Sequence, residues 1–345
     1  MATLITQLPP IAFPYEVDSI AISSKKTVRV RIELGGTSLL DVQLTPDPSG
    51  VIRMFDLMSL LNDALSEEFA KRALSIYLDD VKAANTVVIP CRNRLDRTAN
   101  EVATLGFLTM LESDVKYIPP EASEELFWVG PCEETNIQVE SIWSDSSGNE
   151  WAEHSQTLPY DQYGKDYCSA DVSPGLVTPP EDGEDWVLVE YTVHVGTQRQ
   201  MTYRMTPLGN YLCPPTAMGF INSFGVGDTL YLYGSAEKEM KPEYAAAVTG
   251  GLSRNYRITC QPTWKASAGD HCDLGLLLDF CTSPFTWRMD NLASVTVTES
   301  DIKQSNDYSA RPESTISWRE SKRGARFEPH RIPRTFDETF DQTFR

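Results

Sequence analysis

Histidines are the residues of this sequence best suited to acid–base chemistry, and their spacing argues against such a role. The four stand in unrelated contexts, at His154, His194, His271 and His330. His194 lies in the alternating stretch 189–195, where a place on the polar face of a strand is the expected role. The chain has no GxSxG, HExxH or Walker motif and no dinucleotide-binding fingerprint. The sequence therefore predicts that the protein is not an enzyme.

Paired acidic residues are a second set that could carry chemistry, either as calcium ligands or as the two carboxylates of a glycosidase. None of the pairs has the spacing of an EF-hand loop, so we interpret them as solvated loop charges. We predict no metal site and no cofactor. The pairs are Glu133-Glu134, Glu181-Asp182 and Glu184-Asp185.

Seven cysteines are scattered along the chain, and their number is odd. His271, Cys272 and Cys281 could be imagined as metal ligands, but no CxxC or HxxxH pairing supports a metal site. Scattered cysteines in odd number favour a reducing compartment over a disulfide framework. We therefore predict buried free thiols.

Aromatic residues are abundant, with seven tryptophans and fourteen tyrosines. Their flat faces could stack on sugar rings and form a carbohydrate-binding platform. In β-sandwiches such side chains more often fill the core, because each of them buries a large apolar area. Both interpretations stay open for Trp128, Trp143, Trp151, Trp186, Trp264, Trp287 and Trp318.

The segment Gly219–Gly234, GFINSFGVGDTLYLYG, predicts a tight turn followed by a strand. Gly225 and Gly227 can supply the positive φ angles of the turn, and Asp228 can bond back to the backbone there. After the turn two leucines alternate with Tyr231 and Tyr233, so the tyrosines share one face of the strand. That face is either a partner-binding surface or the inside of a second sheet.

The wider pattern predicts a mainly β protein of two antiparallel β-sandwich-like modules. Alternation over 28–34 followed by Gly35-Gly36 indicates a hairpin, and Asp56 is placed as the N-cap of a short helix that closes the first module. We expect this module to cover residues 1–90 and a connecting segment to cover 91–125. A second β-rich domain is expected over 126–300.

The last segment, residues 301–345, changes character and is locally basic, which predicts an extended C-terminal arm. We expect it to dock on the acidic surface of a neighbouring subunit, with a stripe of phenylalanines spaced four apart as anchor and arginines pairing at the rim. The predicted partner-binding residues of the arm are Arg323, Arg326, Phe336, Phe340 and Phe344.

The net charge of −19 argues against nucleic-acid and anionic-membrane partners, since both require a concentrated basic surface. The N-terminal sequence lacks the basic and apolar regions of a signal peptide, and no apolar run approaches the length of a membrane span. We therefore expect synthesis in a cytoplasm.

Two segments resemble known proteins. FINSFGVGDTLYLYG is similar to the motif L-N-R-F-G-x-x-D-x-F-x-F of tail-associated structural proteins from phages and prophages of gut Bacteroidales. Asn222, Phe224, Gly225 and Asp228 match this motif, while Ser223 stands in place of the arginine. The stretch DPSGVIRMFDLMSLLNDAL resembles the opening sheet-then-helix module of the same group. The resemblance implies a virion component and supplies no catalytic residues.

The leading hypothesis is therefore a non-enzymatic structural component of a phage tail or tail-like particle, located in the virion. Its expected partners are other copies of the chain and neighbouring virion proteins, joined through sheet faces and the C-terminal arm. The alternative is a carbohydrate- or receptor-binding β-sandwich module that recognises a surface glycan through Tyr231, Tyr233 and nearby tryptophans. A β-sandwich hydrolase is a third possibility that nothing in the residue spacing favours.

Overall fold

The computed structural model describes residues 2–65, 70–130, 136–145, 148, 150–163, 166–180, 185–206, 214–249, 252–269, 272–303 and 314–321. Strands dominate these residues and the helices are short, so the prediction of a mainly β, largely antiparallel fold is confirmed. None of the helices in these ranges is long and apolar enough to cross a membrane.

The N-terminal part of the chain contains two sheets and one short helix. Its elements are β1 (Thr3–Leu4), β2 (Ile11–Ala12), a 3-10 turn (Pro14–Val17), β3 (Ile20–Ser23), β4 (Val28–Leu34), β5 (Thr37–Leu44), β6 (Val51–Met54), α1 (Leu57–Leu65), β7 (Arg72–Leu78) and β8 (Val81–Val88). One sheet has the order β2-β8-β7-β4-β5 and the other β1-β3-β6. Gly35 and Gly36 have φ angles of 59° and 88° and form the β4–β5 turn, as the sequence predicts.

Helix α1 begins at Leu57 and is capped by Asp18 instead of the predicted Asp56. Asp18 Oδ1 accepts a hydrogen bond from Met58 N at 3.0 Å, and the Asp18 carbonyl accepts one from Leu57 N. Asp56 has a positive φ of 63°, and its carboxylate accepts a hydrogen bond from the Ser59 hydroxyl. The cap therefore comes from a residue forty positions away, which local sequence patterns do not reveal.

The rest of the described chain contains two further helices and fifteen further strands. They are α2 (Ala99–Leu105), β9 (Val115–Ile118), β10 (Glu125–Val129), β11 (Asn136–Asp145), β12 (Trp151–Pro159), β13 (Asp161–Tyr163), β14 (Tyr167–Asp171), β15 (Trp186–Val195), β16 (Arg199–Met205), β17 (Thr216–Ile221), β18 (Gly227–Leu232), β19 (Ala236–Thr249), β20 (Leu252–Ser267), α3 (Leu274–Thr282), β21 (Thr286–Arg288), β22 (Ser294–Asp301) and β23 (Thr315–Glu320). A 3-10 turn covers Pro174–Leu176.

These strands form three sheets. A three-stranded sheet has the order β10-β14-β13, a five-stranded sheet the order β12-β11-β15-β16-β9, and a seven-stranded sheet the order β18-β17-β21-β22-β23-β20-β19. Strand β9, from the predicted connecting segment, joins the five-stranded sheet by parallel pairing with β16. The connecting segment is thus built into the second β-rich part.

Strand β23 lies inside the segment 301–345 that the sequence predicts as an extended arm. It pairs with β20 and β22, and its Ile316 and Trp318 are fully buried. The arm prediction is therefore wrong for Thr315–Glu320, and the second β-rich part continues past residue 300. The arm was predicted from the basic composition of this segment. Two apolar residues in alternation are nevertheless enough to anchor a short strand inside a charged stretch.

The core has two large parts and a smaller cluster between them. One large part lies among the N-terminal strands, and the other fills the space among the sheets of the second part. In the smaller cluster, Phe13 of the N-terminal part contacts Phe224 of the β17–β18 turn, with ring centroids 6.0 Å apart. This cluster holds the N-terminal part against the rest of the described chain.

Candidate functional site

Tyr231 and Tyr233, two of the predicted partner-binding residues, lie inside the protein. Their exposed fractions are 4% and 6%, and the leucines on the other face of β18 are buried as well. The Tyr231 hydroxyl donates to the Ser123 carbonyl at 3.3 Å, and the Tyr233 hydroxyl donates to the Tyr117 carbonyl at 2.8 Å. The face lies in the core, as the second interpretation of the sequence expected. The two tyrosines therefore do not form an exposed partner surface.

The turn before β18 is formed by Asn222 and Gly225. Gly225 has a φ of 81°, as predicted, whereas Gly227 does not have a positive φ and opens the strand. Asn222 Oδ1 accepts hydrogen bonds from Phe224 N at 3.0 Å and Val226 N at 3.3 Å, and its Nδ2 donates to a carbonyl of the connecting segment. The turn-stabilising role expected of Asp228 thus belongs to Asn222.

Asp228 belongs instead to a buried ionic cluster with Lys116 and Glu124. Lys116 Nζ lies 2.8 Å from Glu124 Oε2 and 3.1 Å from Asp228 Oδ1. Asp228 Oδ2 accepts a further hydrogen bond from the Thr109 hydroxyl at 2.8 Å. Burial lowers the pKa of Lys116, but the two carboxylates outweigh burial and raise it, so the ammonium stays charged. Burial raises the pKa of Glu124. The cluster fastens β9 to β18.

A cavity of about 160 Å³ lies beside this cluster. Its walls carry few groups free for chemistry, because Lys116 is paired with two carboxylates and the hydroxyls of Tyr231 and Tyr233 donate to carbonyls. Asp273, also in the wall, caps α3 by accepting a hydrogen bond from Leu276 N at 3.0 Å. Among the described residues, no group of three or more His, Cys, Asp or Glu side chains could hold a metal ion.

Ser223 of the same turn is bonded to Asp279 of α3. Asp279 Oδ2 accepts a hydrogen bond from Ser223 N at 2.9 Å, and Oδ1 accepts bonds from the Ser223 hydroxyl and from Asn93 Nδ2. Burial raises the pKa of Asp279 to about 6. Together with the Asn222 and Asp228 contacts, these bonds make the turn a junction between the connecting segment, β18 and α3.

A large exposed feature of the described chain is a hairpin formed by β19 and β20. Strand β20 pairs with β23 only over 264–267, so outside that stretch β19 and β20 pair with each other alone. We call the outer part, Met240–Thr249 with Leu252–Pro262, the projecting ribbon. Ten residues of β19 give it a length of about 30 Å.

One face of the projecting ribbon is apolar and open to solvent. Met240, Pro242 and Tyr244 alternate along β19, and Met240 and Tyr244 are 58% and 60% exposed. Cys260 and Pro262 lie opposite them in the register, so they share this face. The sequence predicts a β-rich domain over 126–300 but gives no specific signal for β19, because Pro242 and the alanine run of this strand are poor strand signals.

Aromatic stacking holds the base of the projecting ribbon. Trp264 of β20 stacks on the buried Trp318 of β23, with ring centroids 6.4 Å apart and planes 7° from parallel. The cationic groups of Arg288 and Lys238 lie over the Trp264 ring at 5.1 and 5.4 Å. The ribbon therefore leaves the sheet from a fixed base.

A second exposed feature is one face of the five-stranded sheet. Trp151 and Val187 lie on either side of Ser144 in the strand register and are 61% and 51% exposed. Glu153 lies two positions after Trp151 in β12, and Glu140 lies four positions before Ser144 in β11, so both share this face. We call this surface the outer sheet face. Trp151 is thus the tryptophan that best fits the platform interpretation.

The remaining predicted partner-binding residues, Arg323, Arg326, Phe336, Phe340 and Phe344, lie outside the described residues. The prediction of buried free thiols is confirmed for Cys91. Cys260, Cys272 and Cys281 are also free, but Cys260 is exposed and the other two are only partly buried. The prediction is wrong for Cys168, which is disulfide-bonded. An odd number of cysteines is compatible with one disulfide, so the parity argument was too weak to exclude it.

No family model matches the chain, and no characterised protein matches it either.

Proposed function

We propose that this protein is a non-enzymatic structural component of a phage tail or tail-like particle and that it assembles with further copies of itself and with neighbouring virion proteins. The observation that carries the proposal is the projecting ribbon. An isolated two-stranded hairpin is marginally stable in water, and this one exposes Met240 and Tyr244 to solvent. Burial of that face against a partner would remove these apolar side chains from water and support the hairpin with further contacts.

The state of the polar groups supports a non-enzymatic role. Lys116 is paired with both Glu124 and Asp228, and Asp279 is bonded to Ser223 and Asn93. Groups fixed in this way stabilise the fold and are poorly placed to act on a substrate. The resemblance of the 220–234 segment to tail-associated proteins supports the placement in a virion.

A ribbon-shortened variant tests the proposal. Residues 240–262 are replaced by Asn-Gly, so that the pair Glu239–Thr263 closes on a type I′ turn. We expect the full chain to form oligomers in light scattering and the variant to be monomeric with an unchanged far-UV circular dichroism spectrum. A monomeric full chain at tens of micromolar, or an equally large assembly of the folded variant, would contradict the proposal.

Recognition of a surface glycan is the second candidate function, and the exposure of Trp151 favours it. Trp151 presents its ring on a sheet face that also carries Glu153, Ser155 and Thr157, which alternate with it along β12. Aromatic faces with neighbouring carboxylates and hydroxyls suit pyranose rings. A glycan array with wild type and Trp151→Ala tests this candidate. Binding that Trp151→Ala abolishes would support it, and the absence of any binder would reject it.

A further inference from the structure

We infer that the projecting ribbon of one copy docks, with its apolar face inward, on the outer sheet face of a second copy. The inference rests on the self-assembly proposed above and adds to it the two surfaces that meet. Both surfaces are exposed in the single chain, and both combine apolar side chains with charges.

Apolar complementarity is the first argument. The ribbon offers Met240, Pro242 and Tyr244, and the outer sheet face offers Trp151 and Val187 at one end of its strands. Large exposed side chains of this kind are the usual anchors of interfaces, where aromatic residues and methionine are enriched. A ribbon lying across a sheet buries both sets together.

Charge complementarity selects a second copy as the partner. Residues 236–267 contain five basic and three acidic residues, a net charge of +2, while the whole chain carries −19, which leaves −21 for the remainder. The outer sheet face contributes Glu140 and Glu153 beside Trp151. Pairing of two ribbons would bring like charges together, whereas docking on the body of a neighbour brings opposite charges together.

Two prolines argue for docking through the face of the ribbon and against addition of a strand to its edge. Pro242 of β19 lies opposite Cys260, and Pro262 of β20 lies opposite Met240. Proline has no N–H to donate to an added strand, and it is a common device that blocks edge pairing. Both edges of the projecting ribbon are therefore poor templates for a further strand.

The two surfaces lie on different parts of one chain, so the contact is head-to-tail. Such a contact builds a ring if the rotation between copies closes and an open stack if it does not. Either product is a multimer in which each copy donates one ribbon and receives another.

Cross-linking through the exposed Cys260 tests the inference on the full chain. In the Ser155→Cys variant, which keeps the Trp151 anchor and lies on the same face of β12, a short bismaleimide is expected to join the introduced cysteine of one copy to Cys260 of the next and give covalent multimers. Adding Cys260→Ser to this variant should abolish the covalent multimers. Phe55→Cys, at an exposed position in the N-terminal part, is the matched control.

The outcomes separate the inference from the proposed function. Oligomers that cross-link no better in Ser155→Cys than in Phe55→Cys would overturn the docking site and leave self-assembly intact. Efficient cross-linking of wild-type copies to each other through Cys260 would overturn the docking site and indicate that two ribbons pair instead. A chain that stays monomeric in light scattering would overturn both the inference and the proposed function.

A charge-reversal variant provides a second, independent measurement. Glu140→Lys/Glu153→Lys should weaken assembly about tenfold, since two attractive contacts become repulsive. Glu121→Lys/Glu125→Lys makes the same change of net charge at exposed positions away from the outer sheet face and should leave assembly close to wild type. Equal weakening in both variants would mean that net charge alone governs assembly, which would contradict the inference.

Discussion

Asp279 and Ser223 are joined twice although 56 positions separate them in the sequence. The Asp279 carboxylate accepts one hydrogen bond from the Ser223 backbone N–H at 2.9 Å and another from the Ser223 hydroxyl. Both residues are almost fully buried, so this bond pair fixes α3 against the β17–β18 turn inside the protein. The contact therefore connects the segment Gly219–Gly234 to α3 and gives that segment a structural role.

Asp279 should make the stability of the fold depend on pH between about 4 and 6. Burial raises its pKa from 3.8 to about 6, so the folded chain holds this proton more tightly than the unfolded chain does. The free energy of unfolding therefore falls as the pH rises through this range and is constant above it. Since about two pKa units separate the two states, the contribution reaches about 3 kcal/mol.

Urea unfolding of wild type and Asp279→Asn at several pH values measures this contribution. The amide does not titrate, so the variant should lose less stability than wild type between pH 4 and 6. Glu125→Gln, which removes an exposed carboxylate of β10, is the control and should keep the wild-type slope. Parallel slopes for wild type and Asp279→Asn would show that Asp279 does not titrate in this range.

Lys116→Met should destabilise the fold by about 3–5 kcal/mol, because it leaves the buried carboxylates of Glu124 and Asp228 without a counter-charge. Urea unfolding at pH 7 measures the loss, and Lys82→Met at an exposed position of β8 is the control. The double variant Lys116→Met/Glu124→Gln should recover part of the loss. If the loss of stability in the double variant equals the sum of the losses in Lys116→Met and Glu124→Gln, the pairing is contradicted.

Local patterns in the sequence predict much of the strand framework. The alternation over Val28–Leu34 matches buried positions of β4, and Gly35-Gly36 forms the expected turn. Alternation also places Tyr231 and Tyr233 on one face of β18. Alternation does not show whether a sheet face is exposed to solvent or packed in the core, because both arrangements give the same two-residue period.

Long-range contacts account for what the sequence analysis missed. Lys116 and Asp228 are 112 positions apart, and nothing near either residue signals the pairing. The projecting ribbon was missed for a different reason. Its strand β19 contains Pro242 and three consecutive alanines, so pairing with β20 overrides a weak local preference.

Gly219→Ala and Gly227→Ala should differ in their effect on stability although both glycines belong to the β17–β18 hairpin. A Cβ atom at Gly219 would overlap the Trp287 ring, whereas one at Gly227 would meet nothing within 4 Å. We expect Gly219→Ala to cost about 1–3 kcal/mol and Gly227→Ala to be close to neutral. Thermal unfolding of both variants measures the difference. A large loss in Gly227→Ala would restore the turn role that the sequence predicts for this glycine.

Removal of residues 322–345 tests the predicted C-terminal arm without disturbing the sheet, because the truncation keeps β23, whose Trp318 is buried. If Phe336, Phe340 and Phe344 anchor the arm on a neighbouring copy, the truncated chain should keep its thermal unfolding temperature and form smaller oligomers in light scattering.

The variant Phe336→Ser/Phe340→Ser/Phe344→Ser keeps the full length and every charge of this segment, so it separates the aromatic anchor from the arginines. A reduced mass in both variants assigns the contact to the phenylalanines. If the truncation reduces the mass and the serine variant does not, the contact belongs to basic residues such as Arg323 and Arg326. Unchanged assembly in both variants would leave the projecting ribbon as the element that joins the copies.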